Sequence, residues 1–287
     1  MFDQLFIGGL ATGCIYAVVG LGFTLVYRTL RMVNFAQGQV FMIGAFLGLV
    51  TAERAHLPAL PLLFVVSAIA FALGMVLERL VFRRLYHSHE VFIVGTIGLG
   101  IVLTNVVRVF FPGPVPFPKI FGSHVVQIGT ARFQETYVWV VISTLVLVVL
   151  LHAMFTYTRA GRALRAVAAD AEIAGTVGVN VNRTIALTFG LSFAVAAIAG
   201  VLIGPLYFVS FDMGDMVGLK AFSAAVFGGI NSIPGTILGG LAIGVLENLA
   251  GGYISSAYKD LVAFAILLVM LIWRPTGLLG RDMPVKV

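Results

Sequence analysis

Polar side chains enter the apolar sequence at two places, and these are candidates for contact with a polar ligand. The first cluster holds Asn34, Gln37 and Gln39, and the second holds Asn231 and Ser232. Amide and hydroxyl groups can hydrogen-bond a polar or zwitterionic solute without the desolvation cost of a fixed charge. A helix rich in small apolar residues follows each cluster, and interrupted helices in the two halves of a transporter point to its translocation pathway.

Each of these residues also has a structural interpretation. Asn is a preferred N-cap residue, so Asn34 and Asn231 are also candidates for capping helix starts. Gln37 and Gln39 are harder to explain as caps, and for them the alternative is hydrogen bonding between helices. Glu247 lies well inside an apolar run, which makes it a candidate functional group of the pathway. Its place near the predicted outer end of a helix also favours a structural or solvated role.

The sequence lacks the motifs of an enzyme. A phosphate-binding loop requires Gly-Lys-Ser/Thr, and no lysine of this chain follows a glycine. Neither a His-Glu-x-x-His nor a Gly-x-Ser-x-Gly motif occurs. Cys14 is the single cysteine, which leaves no basis for a disulfide or a cysteine metal cluster. We therefore expect no catalytic, metal-binding or cofactor-binding residue in this chain.

The composition indicates the kind of structure that positions these groups. The chain of 287 residues is 60% apolar and 10% charged, with a mean hydropathy of +1.06, whereas soluble domains are roughly 25% charged. Such a chain cannot cover a folded surface with polar groups, so its surroundings must include lipid. We expect an all-α polytopic membrane protein that forms a single domain over residues 1–287. The net charge of +6 does not indicate a nucleic-acid partner, because the basic residues lie mostly in short loops between apolar runs.

Nine apolar runs are candidates for membrane helices, since a spanning helix needs ~20 such residues. They cover residues 5–27, 33–50, 60–80, 91–111, 137–157, 184–210, 219–230, 234–249 and 261–273. The run 219–230 is too short to cross alone at ~1.5 Å per residue, and we expect a half-helix that stops inside the protein. The sequence thus predicts a bundle of about eight or nine transmembrane helices that includes a short or broken one. The segment 112–135 contains PGPVPFPK and predicts an extended surface loop.

The basic residues predict the orientation. The polar, basic segment 159–183 between two apolar runs is here called the island. If every run crosses and the island is cytoplasmic, 12 of the 18 Lys and Arg face the cytoplasm: Arg28, Arg31, Arg79, Arg83, Arg84, Arg159, Arg162, Arg165, Arg183, Arg274, Arg281 and Lys286. The others, among them Lys220, fall outside or near an outer helix end. The positive-inside bias therefore favours an external N-terminus and a cytoplasmic C-terminus with nine crossings. A topology of eight crossings stays open.

The basic island reads RAGRALRAVAADAEIAGTVGVNVNR over residues 159–183. Its alanine-rich composition favours a helix, and Gly175 and Gly178 are expected to divide it into two short helices or a helix and a turn. An exposed cytoplasmic helix-turn with a glutamate and a downstream glycine is suited to docking into a groove of a partner protein.

The island resembles the cytoplasmic coupling segment of ABC importer permeases, whose loop carries Glu-Ala-Ala followed by Gly. Here the pattern stands as Glu172-Ile173-Ala174 and Gly178. The chain as a whole resembles the permease subunits of branched-chain amino-acid ABC importers in three further stretches: GLGFTLVYRTLRMVNFAQGQVFMIGAF, LKAFSAAVFGGINSIPGTILGGLAIGVLE and LLVMLIWRPTGLLG. It departs from many relatives where Gln37 and Gln39 replace a histidine and a glutamate, and where residue 173 is isoleucine.

The resemblance implies a multi-pass subunit of a bacterial inner membrane that works with several partners. These are a second homologous permease, two cytoplasmic ATPases that bind ATP and Mg, a periplasmic solute-binding protein and membrane lipid. The coupling residues that it implies are Arg162, Arg165, Asp170, Glu172, Ala174 and Gly178, although positive-inside anchoring explains the two arginines equally well.

The implied solute is a branched-chain amino acid or a related small molecule. Urea, amides and aromatic or short carboxylates are imported by similar systems. An ion-coupled secondary carrier is the alternative class of transporter. Such carriers place several ionisable groups near the midplane, and here the sequence offers Glu247.

Overall fold

The computed structural model describes residues 2–122, 125–128 and 131–280, and most of them are α-helical. The helices are α1 (Phe2–Leu30), α2 (Gln37–Ala55), α3 (Ala59–Leu80), α4 (His89–Phe110), α5 (Glu135–Tyr157), α6 (Arg159–Ala169), α7 (Ala171–Thr176), α8 (Val181–Ile203), α9 (Met213–Gly228), α10 (Ile233–Tyr253) and α11 (Lys259–Trp273). Two strands, β1 (Val125–Ile128) and β2 (Ala131–Gln134), form an antiparallel hairpin, which departs from the all-α prediction. Arg281 and Lys286, which entered the orientation argument, lie outside the described residues.

Seven of the described helices are long and apolar enough to cross a membrane, namely α1, α3, α4, α5, α8, α10 and α11. Several of them expose large apolar side chains, for example Phe64, Val149 and Ile272, which are 75%, 65% and 69% accessible. Exposed apolar surface of this extent is expected where lipid is the solvent. The prediction of a multi-pass helical membrane protein is confirmed.

The remaining long helices, α2 and α9, correspond to the other two apolar runs and lie inside the bundle. Both have largely buried residues, among them Phe41 of α2 and Ala224 of α9. The predicted start of the short helix near Leu219 is wrong, because α9 begins at Met213. Its first turn contains Gly214 and Asp215, whose polar character conceals the helix in the sequence.

The centre of the bundle is the antiparallel pair α1 and α10, which pack with their backbones in contact. A Cβ added at Gly13 would lie 2.8 Å from the carbonyl oxygen of Gly240, a distance that real Cβ atoms do not show. Thr24 and Thr236 hydrogen-bond across the same pair at 2.6 Å. Small residues at a helix interface permit this close approach, as the glycine content of α10 predicts.

Helix α2 begins deep inside the bundle. Its first residue, Gln37, lies against Gly22 of α1 and Ser192 of α8. Gly22 is eight residues from the end of α1 at Leu30, which corresponds to ~12 Å of helix. In a hydrocarbon core of ~30 Å, α2 therefore starts near the middle.

Helix α9 also begins inside the bundle, directly against the first turn of α2. A Cβ added at Gly38 would clash with the carbonyl oxygen of Gly214 and would lie 2.9 Å from the Cα atom of Gly218. The first turns of two helices thus meet in the interior. The far end of α9 at Gly228 is buried and packs on Gly235 of α10, so the helix also ends inside the protein, where the sequence predicts a break.

The segment between α4 and α5 has no helix in its described residues, as its prolines predict. It is not purely a surface loop, however. Phe117 and Phe121 are buried, and Phe117 packs against Gly48 and Gly204. Val115 pairs with Val209 in an isolated bridge. This segment therefore closes one end of the bundle with aromatic side chains.

Candidate translocation site and coupling surface

A cavity of about 470 Å³ lies where the first turns of α2 and α9 meet. Its size falls within the ~300–1,000 Å³ typical of small-molecule sites. Helices α1, α2, α4 and α9 line it with Phe23, Phe35, Gly38, Gln39, Ile97, Ile101, Thr104, Asn105, Gly214, Asp215, Gly218, Leu219 and Phe222. Ile101 and Leu219 are 59% and 45% accessible, so the cavity opens to the surface between α4 and α9.

The charged group of the cavity is Asp215, in the first turn of α9. Its Oδ1 accepts a hydrogen bond of 2.5 Å from Nε2 of Gln39. No ion pair to Asp215 occurs in the part of the chain that the structure describes. The positive end of the helix dipole favours an acidic side chain in this turn. Asp215 therefore presents a carboxylate to the cavity, held by one neutral donor.

Three phenylalanines form an apolar wall of the same cavity. The ring of Phe222 lies 5.6 Å, between centroids, from the ring of Phe23 and equally far from that of Phe35. These are tilted contacts of the kind that aromatic pairs prefer. The cavity thus combines one carboxylate and a few polar groups with an apolar surface.

Gln39 is the one predicted pathway residue of the first cluster that lines this cavity. Gln37 is fully buried, donates from Nε2 to the carbonyl oxygen of Ser192 at 3.2 Å and accepts from the Ser192 hydroxyl at 3.0 Å. It joins α2 to α8, as the structural interpretation holds. Asn34 is not the N-cap, which is Ala36. Its Oδ1 accepts from the backbone N–H of Ala36 at 3.1 Å, two residues on.

The second predicted cluster lies away from the cavity, at the turn between α9 and α10. Ser232 is the N-cap of α10, and its hydroxyl accepts from the N–H of Gly235 at 3.2 Å. Asn231 lies beside Gly280. The capping interpretation therefore applies to Ser232, one residue after the predicted cap.

Glu247 and Lys220 form a buried ion pair, with 2.7 Å between Glu247 Oε1 and Lys220 Nζ. The Tyr16 hydroxyl donates to Glu247 Oε2 at 2.8 Å, and Asp260 Oδ1 lies 2.6 Å from the lysine. These four residues, here called the ion network, join α1, α9, α10 and α11. Glu247 and Lys220 are 5% and 7% accessible, so Glu247 is not solvated and takes the structural role that was its alternative.

The island forms two helices, with an amphipathic first helix. Gly161, Leu164 and Val167 of α6 are buried against the bundle, whereas Arg162 and Arg165 are exposed. The Thr158 hydroxyl caps α6 by accepting from the N–H of Gly161 at 3.0 Å. The arginines are therefore placed on the outer face of a helix fixed by its apolar side.

The break in the island falls at Asp170, and the prediction that Gly175 divides it is wrong. Asp170 Oδ1 accepts from the N–H groups of Glu172 and Ile173 at 2.9 and 3.1 Å, which caps the start of α7. Gly178 follows α7 with a φ of +89°, a conformation that favours glycine. Ala174 is buried and anchors the helix.

The outer face of α7, here called the coupling surface, combines a charge with apolar side chains. Glu172 is exposed, and Ile173 and Val177 are 63% and 74% accessible. Water gives no reason to expose such apolar residues. An acidic residue flanked by exposed apolar side chains is the composition of a protein contact.

Sequence comparison gives the family. The sequence profile described as the permease component of branched-chain amino acid transport systems matches residues 5–271. The high-affinity permease LivH of Salmonella typhimurium is 36% identical over 100% of this chain and 98% of its own length. BraD of Pseudomonas aeruginosa is 36% identical over 99% and 97%. This chain belongs to the branched-chain amino acid permease family.

Two solved structures share the fold of this permease. PsaBC of Streptococcus pneumoniae superposes with a TM-score of 0.51 and 15% identity, over 96% of this chain and 93% of that one. An ABC transporter of metal-chelate type in an inward-facing conformation gives a TM-score of 0.51 and 17% identity, over 95% and 85%. At this identity the likeness concerns the fold alone.

Sequence reasoning missed the central acid of the permease cavity. Asp215 lies in FDMGDMVG, which has the polar and glycine content of a loop. Phe35 and Phe222 are two of many phenylalanines, and nothing in their spacing marks them as neighbours. The available signal was the glycines Gly214 and Gly218, four residues apart, which mark a helix contact on the same face.

Proposed function

We propose that this chain is the transmembrane subunit of an ATP-driven ABC importer and forms the translocation pathway for branched-chain amino acids or related small solutes. The coupling surface carries this proposal. The bundle fixes α7 through its N-terminal cap, the buried side chain of Ala174 and the glycine that follows the helix. Glu172 and Ile173 are thereby presented for docking. Full-length similarity to LivH and BraD supports the same assignment.

The partners of the proposed complex are two cytoplasmic ATPases that bind ATP and Mg, a second homologous permease and a periplasmic solute-binding protein. This chain contributes no step of ATP hydrolysis. Movement of the ATPases acts on this chain through Arg162, Arg165, Asp170, Glu172 and neighbouring residues. The contacts of these residues with the ATPases differ between the two conformational states of the complex. The bundle converts that difference into access to the cavity from one face or the other.

The proposed topology has an external N-terminus, a cytoplasmic C-terminus and nine crossings, with α2 and α9 counted as short ones. Contacts support this arrangement. Arg28 at the end of α1 stacks 5.5 Å over the ring of Phe155, at the end of α5 and just before α6. Leu278 and Leu279 bond to the end of α9, which packs on the start of α10. Residues 278–280 and the coupling surface thus lie at the same end of α1, within one domain of residues 1–287.

The cavity favours a small solute with an apolar part over urea or a simple amide, because phenylalanines cover one wall. The ion network does not favour an ion-coupled carrier. Lys220 and Glu247 neutralise one another in a closed site, whereas a coupling ion requires a group that it can reach.

The test is the variant Glu172→Lys in proteoliposomes that contain the complete complex. Reversal of the charge at the coupling surface is expected to lower ATP-driven uptake about tenfold or more and to weaken ATPase docking, while the bundle stays folded. Glu53→Lys is the matched control, because Glu53 is also an exposed glutamate but lies at the end of α2, toward the other face. Normal uptake by Glu172→Lys, or an equal loss in the control, would count against the coupling assignment.

A further inference from the structure

The carboxylate of Asp215 joins α9 to α2 through Gln39, and this contact with a neutral amide leaves its charge without a counter-charge among the described residues. Its Oδ1 accepts one hydrogen bond, from Gln39, and its side chain is accessible from the cavity. A charged group is costly in the interior of a membrane protein unless it lies in a water-filled cavity or meets a partner. Asp215 therefore matches a partner that the chain itself does not supply.

Gln39 provides a second, independent sign of a ligand. The residue is 9% accessible, and its Oε1 atom has no hydrogen-bond partner among the described residues. The Nε2 atom is committed to Asp215, so Gln39 lies between the carboxylate and the lining of the cavity. Gln39 therefore leaves one unpaired acceptor beside the carboxylate of Asp215.

An accessible carboxylate without a counter-charge selects a cation. An alkylammonium group has three donors and one positive charge, which suit the Asp215 oxygen that Gln39 does not hold. The wall of Phe23, Phe35 and Phe222 offers apolar contact to an alkyl chain and favourable ring faces to a cation. Guanidinium is a poorer match, since its two parallel N–H donors need both carboxylate oxygens, and Gln39 already bonds one of them.

We infer that Asp215 binds the α-ammonium group of the amino acid in transit. Gln39 is the positioning residue, because it holds the carboxylate of Asp215 in place. The apolar side chain of the solute packs against the three phenylalanines. This inference rests on the proposed import function and names the group of the permease that recognises the solute after delivery. Asp215 thereby selects α-amino acids over carboxylic acids with the same carbon chain.

The experiment measures binding of small probes to the purified permease–ATPase complex without the solute-binding protein, by calorimetry at millimolar concentration. The probes are L-leucine, isopentylamine, which lacks the carboxylate, and 4-methylpentanoate, which lacks the ammonium group. The wild-type complex is expected to bind the first two and to bind the third at least about tenfold more weakly. Equal affinity for 4-methylpentanoate, or no detectable binding of L-leucine, would overturn the inference.

The decisive variant is Asp215→Asn, which keeps the shape of the side chain and an oxygen that can accept from Gln39. It is expected to lose about 10- to 100-fold in affinity for L-leucine and isopentylamine. Gln39→Ala, which frees the carboxylate from its positioning bond, is expected to lose less. Asp212→Asn is the matched control, because Asp212 precedes the first turn of α9 and does not line the cavity. Unchanged affinity in Asp215→Asn would overturn the inference.

Transport separates this inference from the proposed function. In proteoliposomes with all subunits, Asp215→Asn is expected to lower leucine uptake while the liganded solute-binding protein still stimulates ATP hydrolysis. If the wild type and Asp215→Asn take up leucine equally well, the ammonium site is rejected and the proposed function stands. Absence of amino-acid uptake by the wild-type complex rejects the proposed function itself.

Discussion

Helix α9 carries two opposite charges, Asp215 and Lys220, whose surroundings differ. Lys220 is five positions after Asp215, so the side chains point ~140° apart around the helix. Asp215 faces an open cavity and accepts from one neutral amide. Lys220 faces the bundle and contacts the carboxylates of Glu247 and Asp260 at 2.7 and 2.6 Å.

This difference shows that a charge inside a membrane protein is explained by its partners more than by its depth. Lys220 meets its counter-charges within the chain, and the resulting network joins four helices. Asp215 has an amide in place of a cation and keeps a reachable oxygen. One charge therefore braces the fold, and the other is available to a ligand.

Removal of Lys220 is expected to give the largest effect on stability. In Lys220→Met, Glu247 remains buried with Tyr16 as its donor, and loss of one partner of a buried pair costs ~3–5 kcal/mol. The unfolding free energy of the purified protein, measured by SDS titration in mixed micelles, should fall by that amount. Lys119→Met is the control, because Lys119 is exposed in the loop after α4.

The double variant Lys220→Met/Glu247→Gln sharpens this comparison. It leaves no buried charge and keeps an acceptor for the Tyr16 hydroxyl, so most of the lost stability should return. If the two losses simply add, the ion network does not act as a unit.

A methyl group at Gly38 is expected to give an intermediate effect on the cavity side. Gly38→Ala places a Cβ against the backbone of Gly214 and forces the first turns of α2 and α9 apart. Overpacking of this kind costs ~1–3 kcal/mol, and the widened contact should also reduce uptake of leucine in proteoliposomes. Gly98→Ala is the control, since a Cβ at Gly98 meets no atom within 4 Å. Equal stability of the two variants would mean that the helix starts are not closely packed.

The smallest expected effect comes from Tyr16→Phe. It removes one hydrogen bond to Glu247 and leaves the Lys220 pair intact, which should cost ~1.5 kcal/mol in the same SDS titration, the low end for a bond to a charged group. Tyr253→Phe, on a side chain that is 60% accessible, is the control. Uptake should stay close to the wild-type rate in both variants. A loss of uptake without a loss of stability in Tyr16→Phe would assign the ion network to transport.

The sequence predicts the class of fold because lipid makes a simple demand on composition. Each of the nine apolar runs forms a helix, and the island forms two more with Glu172 exposed and Ala174 buried. Gly178 is found in the positive-φ position that follows a helix. These features depend on neighbours in sequence, which periodicity and residue type reveal.

The contacts between distant helices could not be predicted in the same way. The pairing of Gln39 with Asp215 spans 176 residues, and that of Tyr16 with Glu247 spans 231. Asn231 and Ser232 have the residue types of a pathway, but they lie at a turn where Ser232 caps α10. Polar residues in apolar sequence identify sites of interest, whereas only the packing separates a cap or a brace from a binding group.

The close backbone contact between α1 and α10 has a mechanical consequence. Where glycines bring two helices together, few flexible side chains remain between them to absorb a displacement, so the pair moves as one stiff rod. One end of this rod lies beside α6, since Arg28 stacks on Phe155. The rod continues past Gly13 and Gly240 toward the opposite face. A push on the end beside α6 is therefore expected to arrive at the far end as a tilt, with little lost to bending on the way.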